Sequence, residues 1–276
     1  IAQDAGGEDD CPLSRHAAYD DLTCGAAMGL KLLLFSDPEY PQLLRTIHDP
    51  PPTLWTQGNL ELLSKHAIAM VGARNASALG GRMAQSLAKG LGAAGYTIVS
   101  GLARGIDASA HMAALPTGTI AVVAGGVDVT YPRENAELAK KIRDQGVCVS
   151  EQPMGLAPQA RHFPQRNRLI SGLAQALIVV EAAVKSGSLI TAKDALDQGR
   201  EVMAVPGHPF DARAGGANQL LRDGAILVRG AEDVVEALPS LAQPAPAPAP
   251  GPEPTAQSDL SSTILNLIST NLKSAW

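Results

Sequence analysis

Residues 67–107 read AIAMVGARNASALGGRMAQSLAKGLGAAGYTIVSGLARGID, and this stretch decides the fold. It contains two short apolar runs, Ala67–Val71 and Thr97–Ser100, with the composition typical of buried strands. Between the two runs, Gly81–Ala94 has apolar residues at helical spacing. A strand, a helix and a second strand in this order predict a βαβ unit with two parallel strands.

The same alternation continues along the chain. Further strands are predicted at Thr119–Ala124, Val147–Ser150, Ala176–Val180, Glu201–Val205 and Ala225–Val228. Further helices are predicted at Ile106–Ala114, Asn135–Gln145, Leu189–Gln198 and Asn218–Arg222. The strand candidates show little alternation of apolar and polar residues, which is typical of a sheet covered on both faces. The sequence therefore predicts an α/β domain over residues 37–242, with a Rossmann-like, doubly wound, mostly parallel sheet.

The two ends differ from this domain in composition. Residues 1–36 start with an acidic, Gly-rich stretch and are interpreted as the remnant of a small, helical N-terminal module. Residues 243–255 alternate Pro with Ala and predict a semi-rigid extended linker. Residues 256–276 are interpreted as the start of a truncated C-terminal module, with a possible tag residue at the end. Because Ile1 is not an initiator Met, the chain is expected to be a trimmed piece.

Composition excludes several classes of protein. With 45% hydrophobic residues over 276 positions, the chain can bury a sizeable core. The net charge of −5 excludes a uniformly basic coat, but it leaves room for a local basic site. Three widely spaced Cys and six scattered His suggest neither a disulfide framework nor a metal site, and they fit a reducing cytoplasm. No apolar run reaches the roughly 20 residues that a membrane span needs.

Two predicted strands end in a Gly followed closely by an Arg. Gly72 and Arg74 follow the first run, and Gly101 and Arg104 follow the second. Ligands collect beyond the carboxyl ends of strands in such sheets, and amides at a helix start together with a guanidinium suit a phosphate. The alternative for each edge alone is a tight turn with a solvated Arg.

A basic run stands out on this acidic chain. Three arginines are the only charged residues between Gln152 and Val180, which leaves −8 for the remainder. Guanidinium groups bind phosphates and an aromatic ring stacks on a base, which is the pattern of single-strand binding. The alternative is that the arginines pair with carboxylates of the fold and that Phe163 is core. The candidate residues of this run are Arg161, Phe163, Arg166, Asn167 and Arg168.

A further candidate edge is Lys185–Ser186–Gly187–Ser188, which leaves a strand and enters a helix. Lys185 is the better ligand candidate, whereas Ser186 or Ser188 more often caps the helix. The stretch lacks the GxxxxGK[ST] framework of a Walker A loop. The later segment Tyr131–Asn135 is interpreted as a turn and a helix start.

Catalytic patterns are not found in the sequence. The letters GxGxxG occur at residues 90–95, but they end a helix instead of opening one, so they do not predict dinucleotide binding. Gly95 is expected at the helix C-terminus. Asp107 and His111 are interpreted as structural residues. No catalytic residue, metal or cofactor is predicted.

Taken in order, the motifs resemble the DNA-processing protein A family of bacterial transformation, also called Smf. The resemblance spans about residues 40–230 and rests on YPQLLRTIHDPPPTLWTQGN at 40–59, VGAR at 71–74, SGLARGID at 100–107, GGVDVTYPREN at 125–135, SEQPMG at 150–155, FPQRNRLISGL at 163–173, VVEAAVKSGSLITA at 179–192 and AVPG at 204–207. It implies a Rossmann-like domain that binds single-stranded DNA, dimerises, and helps to load RecA onto incoming strands displaced from single-strand-binding protein.

The resemblance also implies site residues. The family's DNA pocket would use Arg74, Arg161, Phe163, Arg166, Asn167, Arg168 and Lys185. The dimer interface would include Asn218, Leu221, Ile226 and Leu227. Members often have Lys at position 161 and Ser or Thr at position 73, where this chain has Arg and Ala.

The leading hypothesis is a non-enzymatic mediator that binds single-stranded DNA, in the cytoplasm. The alternative is a Rossmann-like enzyme on small nucleotides, of the nucleoside-monophosphate phosphoribohydrolase type. Those enzymes typically carry PGGxGTxxE, and Gly125–Gly126–Val127–Asp128 lacks the Gly-Thr and Glu that should follow. An NAD-dependent enzyme is a third, weaker reading.

Overall fold

Nine strands form one sheet in the computed structural model, which describes residues 22–238. The strand order across the sheet is β1-β2-β6-β5-β4-β3-β7-β8-β9. The strands are β1 (Lys31–Leu34), β2 (Thr53–Gly58), β3 (Ala67–Val71), β4 (Thr97–Ser100), β5 (Thr119–Val122), β6 (Val147–Ser150), β7 (Ala176–Val179), β8 (Glu201–Ala204) and β9 (Ile226–Leu227).

The central strands confirm the predicted mostly parallel, Rossmann-like sheet. Strands β3 to β9 pair only in parallel with one another, and Ala69 of β3 lies opposite Val99 of β4 on one side and Leu177 of β7 on the other. From β3 the chain first builds outward through β4, β5 and β6, then returns to the opposite side of β3 with β7, β8 and β9. The boundary between β3 and β7 is therefore the topological switch point, where open α/β sheets place their ligands.

Two strands at one edge extend the sheet beyond the predicted pattern. β1 pairs antiparallel with β2, and β2 pairs antiparallel with β6. Because β1 covers residues 31–34, the sheet begins before the predicted boundary at residue 37. Outside the described residues lie the part of the predicted N-terminal module before residue 22, the predicted linker and the predicted C-terminal module.

The helices cover both faces of the sheet. They are α1 (Gln42–Arg45), α2 (Ala78–Ala93), α3 (Ile106–Ala114), α4 (Ala136–Gln145), α5 (His162–Gly172), α6 (Gly187–Asp197), α7 (Gly215–Arg222) and α8 (Ala231–Ala237). The predicted helix end at Gly95 is confirmed, since Gly95 has a φ of 92° and follows the last turn of α2. Helix α5, which carries most of the basic run, is not among the predicted helices.

Two buried clusters show how the layers pack. Ile120 and Val122 of β5 belong to a cluster that includes residues of α5 and α6, whereas Ala121 belongs to another that includes α4. Successive residues of a strand point to opposite faces, so these helices lie on opposite sides of the sheet. The loops after β3, β4, β5, β7 and β8 are left at one edge. Among residues 22–238, no helix is both long and apolar enough to cross a bilayer.

Candidate nucleic-acid interface

A groove of about 740 Å³ lies at the switch point between β3 and β7. We call it the switch groove. It is bounded by the loop after β3, the exposed side of α5 and the start of α6. Nine of the predicted site residues line it: Gly72, Arg74, Phe163, Arg166, Asn167, Lys185, Ser186, Gly187 and Ser188.

A second cavity of about 480 Å³ lies beyond the ends of β4 and β5. We call it the β5 chamber. Predicted residues Gly101 and Arg104 line this chamber but not the switch groove. Arg74, Phe163 and Arg166 line both, so the two cavities adjoin along these side chains.

An aromatic and cationic stack separates the two cavities. The Arg74 guanidinium lies 5.3 Å from the centroid of the Phe163 ring. Phe163 also contacts Tyr131: the two ring centroids are 5.6 Å apart, and the interplanar angle is 50°. Arg74 and Tyr131 are exposed and Phe163 is half-buried. The arrangement offers ring faces and a positive charge to a ligand at the same point, as base stacking on single strands requires.

Arg166 is a buried residue that holds the loops of the site. Its Nη1 donates to the carbonyl of Gly101 at 2.7 Å and also to the carbonyl of Val122. Burial lowers the pKa of Arg166 to about 10, and the nearby Asp107 carboxylate opposes this shift. The side chain is 5% exposed. The Nη1 group therefore serves the ends of β4 and β5, whereas the buried Nε has no hydrogen-bond partner among the described residues.

Gly101 is needed for this packing. A Cβ at residue 101 would lie 2.7 Å from the Arg166 Nη2 and 2.9 Å from its Cζ. Gly72 is packed in the same way, because a Cβ there would lie 2.6 Å from Ile106 Cγ1. At these positions glycine permits close packing within the protein.

Two of the predicted arginines do not line either cavity. Arg168 donates from Nη2 to Glu151 at 2.6 Å, and its Nε lies 3.4 Å from Asp49. The alternative in which an Arg of the basic run pairs with carboxylates of the fold therefore applies to Arg168. Arg161 precedes α5, is exposed, and contacts the ring of its neighbour His162 at 3.4 Å.

Lys185 and the serines that follow it have different roles. Lys185 is exposed and, in the part of the chain from residue 22 to 238, makes no ion pair within 4.0 Å. Ser186 caps α6 by accepting a hydrogen bond from the Ser188 amide at 3.2 Å. The buried Ser188 hydroxyl donates to the Gly72 carbonyl at 2.9 Å, so it ties α6 to the loop after β3. The capping role of Ser186 is confirmed, and Lys185 is the free cation of this edge.

The helix start after β3 differs from the predicted phosphate site. The Glu181 carboxylate accepts from the Ser77 amide at 2.9 Å and from the Ser77 hydroxyl. It also lies so close to Gly80 that a Cβ there would be 2.4 Å from its Cδ. A carboxylate of the protein thus occupies the N-terminus of α2, where the dipole favours negative charge. The Ser77 amide is thus taken by Glu181 and the Gly80 amide by the Ser77 hydroxyl, whereas phosphate binding by the other amides of this loop and by Arg74 stays a prediction.

Asp107 and His111 are buried on α3, as the structural interpretation predicted. Asp107 accepts from the amides of Gly101 and Ala103 at 3.1 and 3.3 Å, and burial raises its pKa while Arg166 lowers it. His111 contacts the Thr119 hydroxyl through Nδ1 at 2.7 Å, and burial lowers the pKa of His111 to about 3. Both groups brace the strand ends. Within residues 22–238, no cluster of three His, Cys, Asp or Glu side chains could hold a metal.

Three cationic or aromatic residues of the site were not predicted. Arg213 lines the switch groove from the loop after β8, and Tyr131 and Arg133 line the β5 chamber. All three follow a predicted strand and lie at the ligand edge of the sheet, so the same placement rule could have found them. Tyr131 and Arg133 were interpreted only as a turn and helix start.

Known proteins are similar to this chain in sequence. A sequence profile of the family described as DNA recombination-mediator protein A matches residues 31–239. DNA processing protein DprA of Bacillus subtilis is 47% identical over 214 residues, which cover 76% of this chain and 72% of the relative. Protein Smf of Escherichia coli is 45% identical over 211 residues, which cover 75% of this chain and 56% of the relative. The chain thus spans little more than half the length of that second relative.

Two solved structures resemble the fold. The X-ray structure of DprA from Streptococcus pneumoniae matches with a TM-score of 0.74 and 39% identity, over 79% of this chain and 78% of that one. DprA from Helicobacter pylori, in a structure that gives its single-stranded DNA binding mode, matches with a TM-score of 0.69 and 28% identity, over 75% and 94%. On this evidence of sequence and fold, the chain belongs to the DNA recombination-mediator protein A family, which includes the DprA and Smf proteins.

Proposed function

We propose that this protein binds single-stranded DNA in the switch groove and acts as a recombination mediator without catalysing a reaction. In this proposal it works in the cytoplasm as a homodimer during natural transformation. It binds incoming strands as they are displaced from single-strand-binding protein, and it loads RecA onto them.

One observation carries the DNA-binding step: the Arg74 guanidinium lies on the Phe163 ring in the groove that Lys185 also lines. Arg74 lies 5.3 Å from the ring centroid, and both cations are exposed. Single strands bind where phosphates meet cations and unpaired bases meet aromatic faces. Duplex DNA keeps its bases stacked inside, so this combination favours single strands. The single-stranded DNA binding mode of the Helicobacter pylori relative supports the same ligand.

The absence of catalysis is supported by the state of the acid–base candidates. Asp107 is used by two backbone amides, and His111 is fully buried with a pKa lowered to about 3 by that burial. Asp107 lines the switch groove, but its Oδ2 already accepts from two backbone amides, and His111 does not line the groove. We expect the protein to act by binding DNA without catalysing a reaction, and we propose no cofactor.

The dimer proposal uses the edge of the sheet at β9. Leu227 of β9 is 46% exposed, and Leu221 of α7 is partly buried against the core. Ile226 is half-buried beside Leu227. Asn218 has a role within the chain, because its amide group donates to the Gly207 carbonyl at 2.9 Å and accepts from the Gly207 amide at 3.0 Å.

Fluorescence anisotropy with a labelled single-stranded oligonucleotide tests the DNA-binding step. We expect single-strand preference over duplex competitor and a log–log salt slope near −3, which corresponds to about four phosphates at about 0.7 each. Arg74→Ala and Phe163→Ala should each lose about 1–3 kcal/mol of binding, the typical worth of a stacking contact. Lys89→Ala, an exposed lysine on α2 outside both cavities, is the charge-matched control for Arg74→Ala.

The opposite result would be equally clear. Equal affinity for duplex DNA, unchanged binding by Arg74→Ala and Phe163→Ala, or competition by micromolar AMP would reject the single-strand site. Competition by AMP would favour a small-nucleotide enzyme and call for an assay of released base.

The RecA-loading step needs a separate assay. RecA filament growth on oligonucleotides coated with single-strand-binding protein should accelerate when this protein is added. Arg74→Ala should accelerate it less than Lys89→Ala does. No acceleration by a variant that binds DNA normally would refute the mediator role and leave the DNA site intact.

A further inference from the structure

We infer that Asp211 sets how tightly the switch groove holds DNA, because its carboxylate competes with a DNA phosphate for the Arg213 guanidinium. Arg213 lines the groove and Asp211 does not, so the carboxylate holds this guanidinium from outside the groove. The inference rests on the proposed function, since the competitor is a phosphate of the bound strand. It gives a role to the loop after β8, residues 205–214, which the proposed DNA site does not use.

Asp211 and Arg213 form a two-pronged ion pair. The Arg213 Nε donates to the Asp211 Oδ1 at 3.1 Å, and Nη2 donates to Oδ2 at 3.1 Å. The same Oδ1 accepts from the Arg213 backbone amide at 2.9 Å. These contacts lower the pKa of Asp211 and raise the pKa of Arg213, so both groups are charged near neutral pH. A guanidinium presents the same fork to a phosphate, so the carboxylate and a phosphate compete for it directly.

The pair distinguishes Arg213 from two other cations of the groove. Arg74 and Lys185 also line it, and within residues 22–238 neither has a carboxylate within 4.0 Å. The pair is partly exposed, with 43% of the Arg213 side chain and 34% of the Asp211 side chain accessible. Water screens ion pairs at such exposure and makes them weak. A phosphate can therefore displace the carboxylate, but it gains less than it would from a free guanidinium.

The backbone of this loop is held by hydrogen bonds that do not involve the Asp211 carboxylate. The Asn218 amide group donates to the Gly207 carbonyl at 2.9 Å and accepts from the Gly207 amide at 3.0 Å. The Asp211 amide donates to the His208 carbonyl at 2.9 Å, and the Ala214 amide donates to the Asp211 carbonyl at 2.9 Å. The exchange therefore needs only the guanidinium to turn from the carboxylate to a phosphate.

A second carboxylate acts on Arg213 from a greater distance. Glu181 also raises the pKa of Arg213, but its oxygens already accept from the amide and the hydroxyl of Ser77. Within residues 22–238, Glu181 and Arg213 form no ion pair within 4.0 Å. Asp211 is therefore the carboxylate whose removal frees the guanidinium for a ligand.

The test compares Asp211→Asn with the same change in an equivalent ion pair. Asn removes the charge but keeps an acceptor for the Arg213 amide. Asp233→Asn is the matched control, because Asp233 also accepts from the backbone amide, Nε and Nη2 of one arginine, Arg229. Neither Asp233 nor Arg229 lines either cavity.

Binding of a labelled single-stranded oligonucleotide is measured by anisotropy over a salt series. Asp211→Asn should bind about two- to fivefold more tightly than the wild type, which is the range expected for release from an exposed ion pair. Its log–log salt slope should be steeper by about 0.7, because Arg213 then neutralises a phosphate without leaving an unpaired carboxylate behind. Asp233→Asn should match the wild type in both quantities.

Arg213→Ala separates competition from simple charge repulsion. If the two groups compete, Asp211→Asn has little effect once the guanidinium is gone, and the double variant should bind within about 1.5-fold of Arg213→Ala. This comparison is made at about 150 mM salt, which screens repulsion over longer distances. The gain in Asp211→Asn should lie in slower dissociation, measured by stopped flow, because charges at the rim of a site mainly change the association rate. An equal gain in the Arg213→Ala background, or a gain confined to association, would overturn the competition.

The outcomes separate this inference from the proposed function. If the wild type binds the oligonucleotide and Asp211→Asn binds no more tightly, the inference is overturned and the proposed function stands. If Asp211→Asn binds and the wild type does not, Asp211 controls the groove but the natural chain is not a single-strand binder. If neither binds, both proposals are rejected. Circular dichroism confirms the fold of each variant, and Asp211→Ser, which keeps a hydroxyl acceptor, replaces Asp211→Asn if that variant is not folded.

Discussion

Replacing Gly101 by alanine tests whether this glycine serves packing or ligand binding. The sequence marked Gly101 as a candidate for close approach to phosphate. In the structure its Cα faces the Arg166 guanidinium, and an added Cβ would lie 2.7 Å from Nη2 and 2.9 Å from both Cζ and Nη1. The guanidinium cannot easily withdraw, because Nη1 is bound to the carbonyls of Gly101 and Val122. We therefore expect Gly101→Ala to destabilise the fold.

The magnitude follows from two costs. Adding a methyl to a closely packed site costs about 1–3 kcal/mol. If the guanidinium moves to relieve the contact, it gives up one hydrogen bond from a charged donor, worth about 1.5–3 kcal/mol. The protein will take the cheaper route or share between them, so the free energy of unfolding should fall by about 1–3 kcal/mol.

Urea unfolding followed by circular dichroism measures this change, with Gly187→Ala as the matched control. A Cβ at residue 187 would meet no atom within 4 Å, and the residue opens α6. Gly187→Ala should therefore be neutral or stabilise by about 0.4–1 kcal/mol through the unfolded chain. A loss below about 1 kcal/mol for Gly101→Ala, or an equal loss in both variants, would refute the packing account of Gly101.

Three other predictions use the same proteins. Lys185→Ala should make the log–log salt slope of single-strand binding shallower by about 0.7 and leave the free energy of unfolding unchanged. Lys89→Ala should change neither quantity. A wild-type slope in Lys185→Ala would show that Lys185 does not contact the DNA. Arg168→Gln should lower stability by about 1–3 kcal/mol through loss of the Glu151 pair and leave DNA affinity intact; weaker DNA binding at full stability would contradict this. Burial lowers the pKa of His111 to about 3, below its unfolded value of about 6.5. As the pH falls between these values the unfolded state takes up the proton first, so wild-type stability should fall. The urea midpoint of His111→Gln should fall less than that of the wild type from pH 7 to pH 4, and parallel profiles would show that His111 does not cause the fall.

The central strands were predictable because a strand buried on both faces has a continuous apolar run in the sequence. β3, β4 and β6 have the predicted bounds, and all their residues are buried. β1 and β2 were missed because they belong to an antiparallel edge. β2 reads TLWTQG, which mixes polar and apolar residues over a half-buried segment, and neither continuous apolar content nor simple alternation identifies it.

The residue types of the site were also predictable, but their partners were not. Gly72 and Gly101 carry the same sequence signal as phosphate-binding glycines, yet each is packed against a side chain, Ile106 or Arg166. Likewise the start of α2 attracts an anion, and the anion is Glu181, more than a hundred residues further along the chain. Helix dipoles and close backbone approach are local properties, whereas the group that uses them is chosen by the tertiary fold.

Because helix α5 was not predicted, the sequence did not show which side chains of the basic run share a face. Once residues 162–172 are helical, Phe163, Arg166 and Asn167 fall at spacings of three and four and share one face, which is the face that lines the switch groove. Arg168 is two residues beyond Arg166, about 200° further around the helix, and it pairs with Glu151 away from both cavities. Helical geometry therefore forbids a single surface of three arginines. The run divides instead into an exposed Arg161, an inward Arg166 that fixes two strand ends, and an Arg168 that anchors α5. The other cations that line the switch groove, Arg74, Lys185 and Arg213, come from other loops.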